Sequence, residues 1–114
     1  MSTGKLSRGQ IVSVAASGVY SGKPRPAVVV QANLWLDLHP SVTLCPITST
    51  LVDAPLIRLP VKPSHNNGLI KSSQLMADKL FSVPRTSISE VIGQLEPLHL
   101  VELDQVLRSW LSLG

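Results

Sequence analysis

Two apolar runs of strand length limit what this chain can fold into. The first is Arg25-Pro26-Ala27-Val28-Val29-Val30-Gln31, and the second, after a short connection, is Val42-Thr43-Leu44-Cys45-Pro46-Ile47-Thr48-Ser49. Residues 28–30 are β-branched and uncharged, the composition of a strand buried on both faces. Pro24 and Pro26 flank Arg25 and fix the local backbone, so a single guanidinium stands on a stiff mount at the rim of the core. Antiparallel pairing of the two runs puts the start of one beside the end of the other, and Arg25 is then expected to face Thr48 and Ser49. A guanidinium near two hydroxyls on a rigid sheet rim is the beginning of an anion site, phosphate in particular.

A chain of 114 residues is read as one domain spanning 1–114, with residues 1–6 as a flexible lead-in. An apolar fraction of 44% against 15% charged residues supplies a core and leaves apolar surface for a partner to cover, so a homodimer is expected. Cys45 is the sole cysteine, which excludes an internal disulfide and fits a reducing compartment. Residues 1–10 hold no apolar signal core, and no window approaches the roughly 18 apolar residues of a membrane span. The expected location is the cytoplasm, with no membrane contact. His39, His65 and His99 stand apart at spacings that fit no metal motif, so neither a metal nor a cofactor is expected.

Charge is unevenly spread. Residues 1–75 carry seven Lys or Arg against Asp37 and Asp53, whereas residues 76–114 carry three against five acidic side chains. The strand-rich part, with Arg25 on its rim, is thus the basic side and favours an anionic ligand, nucleic acid included. An ordinary solvated surface accounts for the same distribution.

Strands are expected over 9–16, 25–31, 42–49, 56–61 and 74–83, with loops at 16–24, 32–41 and 63–68. Ile88, Val91, Ile92 and Leu95 recur at helical spacing and predict a helix over 86–95. Glu96-Pro97 opens a second helix, in which Leu100, Leu103, Leu107 and Trp110 or Leu111 form an apolar stripe and Glu102, Asp104, Gln105 and Arg108 face away. Strands first and helices last predict a mainly β, α+β fold: a bent antiparallel sheet or small SH3-like barrel with a C-terminal helix on it.

Five pieces in order carry a resemblance: Arg8-Gly9-Gln10-Ile11-Val12, Arg25-Pro26-Ala27-Val28-Val29-Val30, Cys45-Pro46-Ile47-Thr48-Ser49, Met76-Ala77-Asp78-Lys79-Leu80 and Ile92-Gly93-Gln94-Leu95. Together they resemble the MazF/PemK toxins of bacterial toxin–antitoxin systems over about residues 7–113. The resemblance implies an SH3-like fold and a homodimer, inhibited by a MazE/PemI-like antitoxin. It also implies metal-independent, sequence-specific cleavage of single-stranded RNA. It assigns the essential arginine to Arg25 and the essential threonine to Thr48, with Ser49 in the family's Thr-Ser position and Asp78 in place of its strand aspartate. Tyr20 and Lys23, in the loop before Arg25, join Ser49, Asp78 and Lys79 as residues expected to contact RNA. The chain departs from the family in that loop, which is short and lacks an acidic-Gln-Gly pattern, at Lys79, where glutamine is usual, and at Pro84.

The chemistry of these side chains agrees with the assignment. Metal-free cleavage needs the 2′-hydroxyl to attack the adjacent phosphorus, with stabilisation of charge on the phosphorane oxygens. Arg25 is always charged and donates to two phosphate oxygens, and Thr48 and Ser49 can donate to a third or fix the 2′-hydroxyl. Asp78 is a candidate base, or the group that orients Arg25. Plainer roles stand beside these: Arg25 capping a strand end, Thr48-Ser49 forming a turn, and Asp78 pairing with Lys79 or Arg85. Two other functional classes share the pattern, a CcdB-like toxin that binds a protein such as gyrase and a non-catalytic SH3-like module. A content of only 4% aromatics gives the module little to build a peptide groove from.

Overall fold

The computed structural model describes residues 5–15 and 24–114. Seven strands make one antiparallel sheet: β1 (Gln10–Val14), β2 (Arg25–Val29), β3 (Ser41–Thr48), β4 (Arg58–Val61), β5 (Ser73–Met76), β6 (Phe81–Pro84) and β7 (Ile88–Gln94). A short helix α1 (Asn33–Leu38) joins β2 to β3, and a longer helix α2 (Pro97–Leu111) follows β7. The strand order is β4-β5-β3-β2-β1-β7, with β6 paired to β3, and the sheet does not close.

Side chains alternate across a strand, and here both faces of the central strands are covered. Ile11, Val28, Cys45, Ile47 and Leu75 join Leu103 and Leu107 of α2 in one core. Val12, Val14, Ala27, Val29, Val42 and Leu44 join Leu6, Leu36 of α1 and Ile88 in the other. The continuous valine run of β2 is therefore read correctly, since Val28 and Val29 serve opposite cores. Leu6 sits at 2% exposure inside the second core and so does not belong to a flexible lead-in. Exposed Trp110 and Leu111 end the α2 stripe short of its expected length. Asp104, expected to face away, meets the Arg8 guanidinium at 2.7 Å.

Three expectations about elements need correction. The connection over 32–41 contains α1, whose one buried side chain is Leu36. The fifth strand divides into β5 and β6 around a 3₁₀ turn over Ala77–Lys79, so that β5 pairs with Ile47 and Thr48 of β3 while β6 pairs with residues 41–44. The predicted helix over 86–95 is strand β7. It pairs with β1 through two irregularities, between Ile11 and Val12 and between Ser13 and Val14. Such bulges break the two-residue alternation and leave apolar side chains at spacings of three and four. Glycine is required at position 93 of this strand: a Cβ there would overlap the Asn67 carbonyl of the 63–68 loop, which lies over β7.

That loop is tied down by polar groups. Buried Asn67 accepts from the amides of Ser64 and Leu69, both at 3.0 Å, and donates to the Lys62 carbonyl at 2.9 Å. It also donates to Glu96 at 3.2 Å, just before α2, and the Ser64 hydroxyl donates to the same carboxylate at 2.5 Å. These bonds, Ser64 foremost, hold the Glu96 carboxyl below its usual range. On the far side, the Arg58 Nε of β4 donates to Asp78 at 2.9 Å, and this bond lowers the Asp78 pKa.

Replacing Gly93 with Ala should destabilise the protein by about 2 kcal/mol or more, because backbone must move to admit the methyl group. A urea titration of the two proteins measures this. Asp78 and Glu96 both have folded pKa values below their unfolded ones, so their contribution is complete above the unfolded range and lost as pH falls through the folded values. The melting temperature should hold from pH 7 to about 5 and drop below about pH 4. Asp78→Asn should lower it at pH 7 and make the acid fall shallower.

Candidate functional site at the end of the β2–β3 pair

Antiparallel register sets Ala27 opposite Pro46 and Val28 opposite Cys45. Counted on by two residues, the same register points Arg25, the first residue of β2, toward Thr48, the last of β3. On its other edge Thr48 pairs with Gln74 of β5, and Gln74 pairs in turn with Pro60 of β4. Arg25, Thr48 and Gln74 thus form a row across three neighbouring strands, on the sheet face opposite α2. Arg25 and Thr48 stand at the same end of the β2–β3 pair, each two residues beyond its last ladder pair, Ala27 with Pro46. Arg25 and Ser49 are exposed, and Thr48 is half-buried.

Local hydrogen bonds organise the exit of β3. The Thr50 amide donates to Thr48 Oγ1 at 3.0 Å, which occupies one lone pair of the hydroxyl and leaves its proton to donate outward. Two residues on, the Gln74 side chain bonds the Val52 backbone twice. Gln74 Nε2 donates to the Val52 carbonyl at 2.8 Å, and the Val52 amide donates to Gln74 Oε1 at 3.1 Å. Gln74 is 9% exposed, a buried polar group with its hydrogen bonds made. Nothing in the pattern Ser73-Gln74-Leu75-Met76 singles it out.

Asp78 is held elsewhere. Both its oxygens face Arg58, with Nη2 to Oδ2 at 3.4 Å besides the shorter Nε bond, and the two side chains are only 12% and 15% exposed. The carboxylate therefore stays ionised at neutral pH and is a poor proton acceptor there. Its partner is Arg58, not Lys79 or Arg85. Arg85 instead donates to the carbonyls of Leu36 and His39 at the end of α1. Among the described residues no carboxylate pairs with Arg25. Lys79 is exposed beside Asp78, whereas Tyr20 and Lys23 lie outside the described residues. Burial pushes the Cys45 thiol up to about 12, so it packs as a small apolar group and offers no thiolate.

The row is an open rim. A concavity of about 510 Å³ opens instead beside α1, lined by Leu6, Leu36, His39 and Arg85 among others. An exposed edge carrying a guanidinium and hydroxyls suits an extended polyanion better than an enclosed small molecule.

Comparison with known proteins places the whole chain in a family. Residues 7–111 match the family described as PemK-like, MazF-like toxin of type II toxin-antitoxin system. The chain is 39% identical over 109 residues to a probable endoribonuclease MazF of Mycolicibacterium smegmatis, covering 96% of this chain and 99% of that one. The fold resembles the Mycobacterium tuberculosis toxin MazF-mt6 with a TM-score of 0.75 at 21% identity, over 90% of this chain and 96% of that one. It resembles MazF in a MazE-MazF crystal structure from Deinococcus radiodurans with a TM-score of 0.74 at 23% identity, over 93% and 94%. With nearly its whole length matched, the chain belongs to the PemK/MazF family of type II toxin–antitoxin toxins.

Proposed function

We propose that this protein is the toxin of a type II toxin–antitoxin system and a metal-independent endoribonuclease, acting in the cytoplasm on single-stranded RNA. The observation that carries the proposal is the row of Arg25 and Thr48 on the rim of a family fold. Attack by a 2′-hydroxyl on the adjacent phosphorus, with loss of the 5′-oxygen, gives a 2′,3′-cyclic phosphate and a 5′-hydroxyl end. Arg25 is the group that neutralises charge on the phosphorane oxygens, and Thr48 donates its free proton to one of them. Ser49, Tyr20, Lys23 and Lys79 are proposed to touch the RNA on either side. Asp78, committed to Arg58, contributes negative charge that steadies Arg58 near the strand and is assigned no proton transfer.

The protein acts as a homodimer restrained by an acidic antitoxin segment. Leu34, Trp35 and Leu38 of α1, with Leu98, Val101, Trp110, Leu111 and Leu113 along and after α2, are 48–69% exposed and give such contacts apolar surface. A solved structure of like fold is of an endoribonuclease in complex with its cognate antitoxin.

Mixed-sequence single-stranded RNA incubated with the protein in excess EDTA should be cut to 2′,3′-cyclic phosphate and 5′-hydroxyl ends. Cleavage that disappears on chelation and returns with Mg²⁺ would sink the mechanism. Arg25→Ala should lose at least roughly 1,000-fold in kcat/KM. Thr48→Ala should lose roughly 10- to 100-fold, a neutral hydrogen bond being worth less than a charge-assisted one. Both variants should keep the wild-type melting temperature within a few degrees, since neither side chain belongs to a core cluster. Light scattering across micromolar concentrations should give a dimer mass, and a monomer at every concentration would refute the assembly.

A further inference from the structure

We propose that Gln74 is a positioning residue for Thr48, holding the segment whose amide orients the reactive hydroxyl. The inference rests on the reading of Thr48 as a participant in RNA cleavage. It starts from a register fact: Gln74 is the neighbour of Thr48 across the β3–β5 ladder and lies on the same sheet face. A residue there would ordinarily present its side chain to the rim beside the hydroxyl. Gln74 instead turns its carboxamide to the chain that leaves β3 and makes the two bonds a strand partner would make, one to the amide and one to the carbonyl of Val52.

The consequence runs back along four residues. Leu51 and Val52 are 56% and 44% exposed, so apolar packing does little to fix this segment. Among the described residues, its remaining tie is the Thr50 amide on Thr48 Oγ1. A segment closed at both ends, by the strand at Thr48 and by the carboxamide at Val52, holds Thr50 where its N–H meets that oxygen. Released at Val52, the segment samples other conformations, the Thr50 bond opens, and the Thr48 hydroxyl is free to rotate its proton away from the phosphate. Preorganised donors lose much of their effect when they must be reoriented during the reaction. Gln74 itself is buried and need not touch RNA, so substrate affinity should depend on it little.

The test uses the full-length protein and a single-stranded RNA oligonucleotide containing a site that the wild type cuts. Gln74→Met keeps length and removes both bonds. It should lower kcat roughly 10-fold with KM changed less than about 3-fold, because a transition-state donor is misplaced while ground-state contacts remain. In a Thr48→Ala background the same change should cost less than about 2-fold, since a residue acting through the hydroxyl has nothing left to act upon. Should Gln74→Met fail to fold, Gln74→Glu keeps the acceptor for the Val52 amide and loses the donor. The same loss of effect on removal of Thr48 is then expected. Hydrogen exchange should show the Val52 amide losing protection in Gln74→Met. Wild-type kcat in a folded Gln74 variant, losses that multiply with Thr48→Ala, or an unchanged Val52 amide would each overturn the inference. If Arg25→Ala and Thr48→Ala both cleave normally, it is the reading of the site that has failed, and the role of Gln74 falls with it.

Discussion

Burial of β2 and β3 on both faces governs where polar chemistry can stand in this molecule. Val28 and Val29 serve opposite cores, as do Leu44 and Cys45 across from them, so no charged side chain is tolerated in the middle of either strand. Polar and charged side chains are pushed to the strand ends. Because Thr48 still pairs with Gln74 of β5, the last residue of β3 is placed by a sheet and not by a loop. A donor held that way costs little reorganisation when charge develops opposite it.

Asp78 is committed to a pair of its own within the same scaffold. Arg58, reaching over from β4, takes both oxygens of Asp78 in a largely buried pair. Breaking such a pair would leave an uncompensated buried charge, so loss of either partner of the Arg58–Asp78 contact is destabilising. Arg25 is left to solvent, where a phosphate can reach it.

Much of the fold was legible because burial dictates composition. The valine run of β2, Pro97 at the first turn of α2 and Leu103 and Leu107 on one helical face each carry a pattern that one structure satisfies. Elements whose pattern is set by neighbours were not legible. The spacing of Ile88, Val91, Ile92 and Leu95 suggests a helix only because bulges in the β1–β7 ladder displace the alternation, and bulges depend on the partner strand. Helix α1 has six residues and no side-chain cap, too little for a periodic signal. At the site, Arg25 and Thr48 stood at recognisable strand ends. The partner of Asp78 was hidden 20 residues away, and the tie from Gln74 to Val52 spans 22, beyond the reach of local pattern.

Cys45 carries a consequence of a different kind. Its side chain is fully enclosed in the core under α2, and its thiol is pushed to about 12 by that enclosure. Oxidants and alkylating agents act on thiolates, so the folded chain presents them with no target. Modification at this position then requires that α2 lift from the sheet or that β3 leave it, and β3 is the strand on which β2, β5 and β6 all pair. The rate at which the thiol becomes labelled is thereby a clock for opening of the molecule's centre, with frayed ends and moving loops leaving it silent.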